Sequence, residues 1–255
     1  MCRLFGLIAN KEVDIKFSMR EAKNNFKQQA KYNPDGYGIG WFENNKVRIS
    51  KEGISAFEST KFENLALDVK SQIIIAHIRR ASKQSTKGKK NNAHPFVFDN
   101  WMFAHNGTIN GNRIKGLLNE SFASNLTSDN IDSEIYFRFI LQKVDETGDL
   151  IKGIIEAVRE VIIDASGANF LMSNGEKLIV GKFGRELYLF ERIPNSIFSI
   201  KSKETLALYE SKRLSQEKAI IISTEELTDD ENWIKIEDNS LLVIDKNLKS
   251  ISISL

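Results

Sequence analysis

The chain has 255 residues, 41% of them hydrophobic and 27% charged, with a formal net charge of +2. Such a chain can bury a substantial core, and its charge is too small to make nucleic acid or an anionic membrane the main partner. One cysteine excludes an intramolecular disulfide framework and a cysteine-built zinc site. No run approaches the roughly 18 apolar residues of a membrane span. The opening residues 1–11 lack the cleavage region of a secretory signal. A cytosolic protein is therefore expected, and the glycosylation-type triplets at Asn106, Asn119 and Asn125 are chance matches.

In chain order, residues 3–9 read as a buried strand. Residues 17–31 read as a helix, with Phe17, Ala22, Phe26 and Ala30 at a spacing of three to five. Strands at 37–42 and 46–50 flank the Glu43-Asn44-Asn45 turn. A helix is expected over 60–70, and 72–78 is a strongly β-branched strand. Residues 83–93 are polar and basic and predict a mobile loop. A short strand follows at 101–105. Helices are expected at 111–120, at 132–144 and at 149–164. The second carries a stripe of Ile135, Phe139, Ile140 and Val144, with Asp132 as its N-cap. From residue 168 the pattern turns to strands: 168–173, 177–183, 187–190, 197–200, 218–223, 233–236, 241–245 and 249–254. Asn174-Gly175 is a hairpin signal. The order suits two sheets covered by helices, an α+β arrangement. Nothing reads as a linker, so residues 1–255 are expected to form one domain.

Cys2 is the residue with the most chemical meaning. Removal of Met1 would leave it with a free α-amine beside its own thiol. A thiol has a pKa of about 8.5 and an α-amine about 8. The amine can thus be neutral near pH 7 and accept the thiol proton, directly or through a water. Covalent amide chemistry uses such N-terminal nucleophiles.

Other clusters carry chemistry, each beside a plainer structural reading. Residues 33–41 place glycines at 36, 38 and 40 ahead of a strand, where close backbone approach is one use. No Lys-Ser/Thr pair or helix follows, so this is not a phosphate loop. Ala76-His77-Ile78-Arg79-Arg80-Ala81-Ser82 ends a strand on two arginines, able to grip a carboxylate or simply solvated. His94-Pro95-Phe96 closes the polar loop. Asn106-Gly107 ends a strand with an amide and an adjacent N–H, the composition of an oxyanion hole or of a turn. Asp132-Ser133-Glu134 opens a helix. The spacings of His77, His94 and His105 match no compact metal-ligand motif, so no metal and no cofactor is expected.

The order of these six motifs resembles the class II glutamine amidotransferases, and specifically their small stand-alone branch without a synthase domain. Residues 221–228, Trp233 and 241–244 also look like that branch's closing strands, so the likeness spans the chain. The resemblance implies an N-terminal nucleophile hydrolase fold, a four-layer α/β/β/α sandwich of two mainly antiparallel sheets. It implies that Cys2 attacks the side-chain amide of glutamine or of a γ-glutamyl compound, with its own α-amine moving the proton. By the same resemblance, Asn106 and Gly107 stabilise the oxyanion, Arg79 holds the substrate α-carboxylate, Asp132 holds its α-ammonium and Ser82 lines the pocket. Physical chemistry agrees, since a zwitterionic end needs one fixed cation and one fixed anion.

Several positions depart from the family pattern: Asn33 where branch members often have His, Arg80 and Lys83 after the strand, and Ile131 where Ser or Thr usually precedes Asp-Ser-Glu. None replaces a residue assigned to the chemistry. A small-molecule substrate is expected, with no nucleic acid and no membrane. A homo-oligomer or a separate synthase or acceptor subunit is left open. The competing reading is a partner-dependent subunit that donates ammonia or scaffolds another chain. For that role Trp233, Leu241 and Ile253 are interface candidates, with core strands as their plainer use.

Overall fold

A computed structural model describes residues 1–124, 126–129, 131–192, 199–201, 208–210 and 218–255. In chain order the strands are β1 (Arg3–Asp14), β2 (Tyr37–Glu43), β3 (Lys46–Glu52), β4 (Lys70–Ile78), β5 (Phe96–Phe98), β6 (Trp101–Gly107), β7 (Ala168–Ser173), β8 (Lys177–Lys182), β9 (Tyr188–Arg192), β10 (Ser199–Lys201), β11 (Leu208–Glu210), β12 (Ala219–Ser223), β13 (Ile234–Lys235), β14 (Ser240–Asp245) and β15 (Ser250–Ser254). Helices are α1 (Phe26–Gln29), α2 (Thr60–Asp68), α3 (Gly111–Lys115), α4 (Glu120–Ala123), α5 (Asp132–Thr147) and α6 (Leu150–Val161).

One sheet runs β13-β9-β12-β1-β4-β2-β3 and a second runs β15-β14-β8-β7-β6-β5; β10 and β11 pair with each other. Pairing is antiparallel throughout. Side-chain alternation sorts the core into layers. Leu4, Ile8, Ile73, Ile75, Ile220 and Ile222 meet Ala104, Leu171, Val180 and Leu242 between the sheets. Phe5, Leu7, Ile74, Ala76 and Ile221 turn the other way, toward Phe26, Phe62 and Ala66. On the far side of the second sheet, Phe103, Phe170 and Ile179 pack with α5 and α6 through Tyr136, Ile140, Ile154 and Val158. Central strand segments are therefore buried on both faces, which is why 4–9 of β1, 73–76 of β4 and 219–222 of β12 read as apolar runs. The result is the expected four-layer α/β/β/α sandwich of antiparallel sheets.

Differences from the expected elements have local causes. The expected helix over 17–31 is broken. A wide turn at Phe17–Glu21 ends at Ala22, in extended conformation (ψ 151°), and Asn25 caps the short α1 by accepting from Gln28 N at 3.0 Å. The expected helix over 111–120 ends at Lys115 in α3, and α4 begins only at Glu120, capped by Asn119. Ile131, not Asp132, is the N-cap of α5, and Asp132 is its first helical residue. The segment 83–93 forms two short 3-10 turns, fixed by side-chain bonds such as Asn92 Nδ2 to Asp129 at 2.9 Å and Lys89 to Asp129 at 2.8 Å. Strands β5 and β11 were not expected. Asn125 and residues 197 and 198 of the expected 197–200 strand lie outside the described residues. Leu241 is fully buried, and Trp233 and Ile253 pack partly buried against the core.

Gly38 shows why the 33–41 motif is rich in glycine. A Cβ there would stand 2.1 Å from the His94 carbonyl oxygen. The close approach brings the His94-Pro95 segment directly over β2.

Candidate active site

Three strand ends and one helix start meet at the amino-terminus. The β1–β4 register ends with Arg3 opposite Ile78, so Cys2 lies beside the Arg79-Arg80 peptide. Cys2 Sγ accepts from Arg80 N at 3.3 Å and lies 3.5 Å from Arg80 O. From the other sheet, the end of β6 brings Asn106, whose Nδ2 donates to Cys2 O at 3.1 Å. A cavity of about 260 Å³ opens here. Cys2, Arg79, Ser82, Asn106, Gly107 and Asp132 all line it, so the six residues to which the resemblance gives roles border one space.

Neighbours hold these side chains in place. Arg79 is buried and donates to the Thr86 carbonyl oxygen at 2.8 Å and to its hydroxyl at 2.9 Å. Its backbone is pinned by Arg79 N to Gly36 O at 2.8 Å and Asp35 N to Arg79 O at 3.1 Å. Asp35 Oδ2 also accepts from Ala81 N at 2.9 Å, which fixes the chain between Arg79 and Ser82. Asp132 Oδ2 accepts from Ile109 N at 3.1 Å, and its Oδ1 accepts from Ser133 N at 2.9 Å with Ser133 Oγ at 3.5 Å. Ser133 Oγ meets His105 Nδ1 at 2.8 Å. Glu134 accepts from Thr127 N, Thr127 Oγ1 and Ser128 N and so ties down the approach to α5.

Electrostatics follow from burial and the arginines. Burial pushes the Cys2 thiol up, against the Arg80 N–H and the charge of Arg79, which favour the thiolate. Burial, then Arg3, Arg80 and Arg185, lower the amino-terminal ammonium. His94, at the cavity wall, packs against the buried His77 with ring centroids 4.1 Å apart and planes tilted by 49°. Burial pushes His77 down to about 3 and His94 well below its usual range. Both rings are therefore neutral at pH 7. His105 is lowered by burial as well. An Nε2–H tautomer lets it donate to Gly167 O at 3.4 Å while Nδ1 accepts from Ser133. No group of three or more His, Cys, Asp or Glu side chains among the described residues is placed to hold a metal ion.

Sequence reasoning missed several contributors. Asp35 belongs to a recognised motif but had no role there. Thr86 was hidden in a polar segment with no pattern. Arg185, which also lines the cavity, arrives from a turn after β8. Only the pairing of the second sheet brings it near Cys2, so no local signal marks it.

Comparison with known proteins finds relatives and structures alike over most of the chain. Residues 1–252 match the family described as glutamine amidotransferases class-II. A Haemophilus influenzae protein bearing the name "Putative glutamine amidotransferase" is 30% identical over 270 residues, covering 99% of this chain and 86% of that one. The gamma-glutamyl-hercynylcysteine sulfoxide hydrolase of Mycobacterium tuberculosis is 22% identical over 212 residues, covering 83% of this chain and 76% of that one. The fold is also that of the glutamine phosphoribosylpyrophosphate amidotransferase of B. subtilis, with a TM-score of 0.68 at 17% identity, over 99% of this chain and 49% of that one. Among the described residues no helix is long and apolar enough to cross a membrane.

Proposed function

The chain belongs to the class-II glutamine amidotransferase family, and on that premise we propose that it is an amidohydrolase acting on the γ-amide of glutamine or of a γ-glutamyl compound. With Met1 removed, the Cys2 α-amine takes the thiol proton and the sulfur adds to the γ-carbonyl carbon. Asn106 Nδ2 and the Gly107 N–H donate to the oxyanion, and a donor of this kind contributes about 3 kcal/mol of barrier lowering. The tetrahedral intermediate collapses by breaking its C–N bond. The amine or ammonia leaves with the proton that came from the thiol. Water then adds to the Cys2 γ-glutamyl thioester, the C–S bond breaks, and glutamate and the free thiol are regenerated.

Arg79 takes the substrate α-carboxylate and Asp132 its α-ammonium, with Ser82 at the wall. Burial and then the positive charges of Arg3, Arg80 and Arg185 lower the Met1 ammonium, and the same arginines would stand near a Cys2 α-amine, where positive charge favours the neutral form a base must have. The single observation that carries this reading is that one nucleophile, one amide donor, one buried cation and one acid line the same cavity of about 260 Å³ at the amino-terminus. The name of the M. tuberculosis relative supports admitting γ-glutamyl compounds beside glutamine.

The test is intact mass before and after incubation with a glutamine-like diazoketone, together with glutamate release from glutamine and from γ-glutamyl amides. One adduct on Cys2 of the Met1-free chain and steady glutamate release are expected. A Met1-free chain that takes no label and releases no glutamate overturns the reading. Label without turnover, with activity restored by a second protein, would select the partner-dependent subunit instead.

A further inference from the structure

A second cavity, of about 530 Å³, adjoins the first, and the two share Met1, Asn106 and Arg185. On the function proposed above, the γ-carbonyl carbon sits at Cys2 Sγ with its oxygen toward Asn106 and its glutamate end toward Arg79 and Asp132. The leaving amine must then depart on the remaining side. Asn106 borders both spaces, and Met1 occupies their junction. Loss of Met1 therefore joins them, with the scissile nitrogen at the boundary.

The side chain waiting at that junction is Arg185. Its Nη1 lies 3.4 Å from Met1 Sδ, at the place Met1 vacates. Its guanidinium pairs with no carboxylate among the described residues, and its Nε is buried without a hydrogen-bond partner. The mount is rigid. Buried Asn169 takes the Arg185 backbone from both sides, its Nδ2 donating to Arg185 O at 2.9 Å and its Oδ1 accepting from Arg185 N at 3.3 Å. The arginine stem runs over Gly167, where φ is +135° and a Cβ would meet Arg185 Nε at 2.6 Å. Gly167 O in turn accepts from Thr108 N, just beyond the Asn106-Gly107 pair.

The acids of the second cavity are mostly satisfied. Glu225 pairs with Arg3, Asp229 with Lys23 and Glu186 with Lys235, while Glu226 is solvent-exposed. Arg80 is also without an ion-pair partner among the described residues, but it is exposed and borders only the first cavity. Arg185 is the fixed, uncompensated cation on the leaving side, and a guanidinium fork matches a carboxylate in two parallel hydrogen bonds.

We propose that Arg185 reads a carboxylate on the leaving amine, so that the substrate class is a γ-glutamyl amino acid or γ-glutamyl peptide in preference to free glutamine. Ammonia from glutamine leaves nothing for this arginine to hold.

Two substrates that differ only at the proposed contact test this: γ-glutamylglycine and γ-glutamylglycinamide, assayed with glutamine as reference on Met1-free protein verified by mass. The wild-type chain is expected to favour the carboxylate over the carboxamide by about tenfold or more in kcat/KM, the scale of one charged hydrogen-bonded contact. In Arg185→Gln that ratio is expected to fall to near one. Arg185→Lys, which keeps the charge and loses the fork, is expected to retain part of it and guards against a folding defect in the glutamine variant. An equal rate on both dipeptide substrates in the wild type, or the same ratio in wild type and Arg185→Gln, overturns the assignment. Hydrolysis of glutamine with neither dipeptide cleaved also overturns it while leaving the amidohydrolase reading intact. Failure on all three substrates sinks the amidohydrolase reading and this inference with it.

Discussion

Thr86 holds Arg79 from a single residue, its carbonyl oxygen and its hydroxyl accepting from two different guanidinium nitrogens at 2.8 and 2.9 Å. The arginine is thus aimed before any substrate arrives, by a residue of the basic segment 83–93. Thr86→Val removes the hydroxyl contact and keeps the shape. Its loss is worth about 1 kcal/mol of orientation, so KM for glutamine should rise about fivefold with kcat little changed. Steady-state kinetics check this, and an unchanged KM would separate Thr86 from substrate binding.

On the proposed reading the amino-terminus itself must be free. A chain carrying an uncleaved N-terminal extension keeps the sheets but turns the Cys2 nitrogen into a peptide. Such protein should melt at the temperature of the Met1-free form and release glutamate at least about a thousandfold more slowly, since its nucleophile has lost its base. Comparing N- and C-terminally tagged preparations by calorimetry and glutamate assay decides it.

Asn106 donates at 3.1 Å to Cys2 O when Met1 is attached. On the proposed reading, its Nδ2, freed of that role, becomes the side-chain donor for the oxyanion. Asn106→Ala should lower kcat by about 10²- to 10³-fold, with KM within about a factor of three, because the contact forms mainly in the transition state. A loss confined to KM would argue for ground-state binding instead.

The buried histidines set a pH limit on stability. An unfolded histidine titrates at about 6.5, whereas burial holds His77 down to about 3. Below pH 6.5 the unfolded chain therefore binds a proton that the folded chain refuses. Stability is fully present above 6.5 and is lost progressively as pH falls toward 3. Between pH 7 and 5 His77 alone should remove about 2 kcal/mol, with His94 and His105 acting in the same direction. Urea unfolding at a series of pH values should show the decline, and His77→Phe should flatten it. An identical slope in that variant would remove His77 from the account.

Gly38 has no room for a side chain, its Cβ position lying 2.1 Å from His94 O. Gly38→Ala must push the His94-Pro95 segment off β2. Overpacking of this kind costs about 1–3 kcal/mol, or a melting temperature lower by about 3–10 °C. A thermal shift assay reads it directly.

The sequence alone determined the architecture and the chemical parts. Runs such as Ile73–Ile78 and Ala219–Ser223 are apolar on both faces because they lie in sheets covered on both sides, and that demand is written residue by residue. The same holds for Cys2, Arg79, Asn106-Gly107 and Asp132, each marked by a short motif whose residue types suit one step of amide chemistry. The helix over 17–31 was misread because spacing alone cannot see the Asn25 cap that starts a new helix within it. What only the tertiary structure decided is how those parts meet and what surrounds them. Asn106 reaches Cys2 through two stacked sheets 104 residues apart in the chain. Thr86 and Arg185 acquire meaning solely from where strand pairing and turns deliver them. A polar side chain on a loop carries no periodic signal. Its partner is fixed by long-range packing, so its role becomes visible only once the chain is folded.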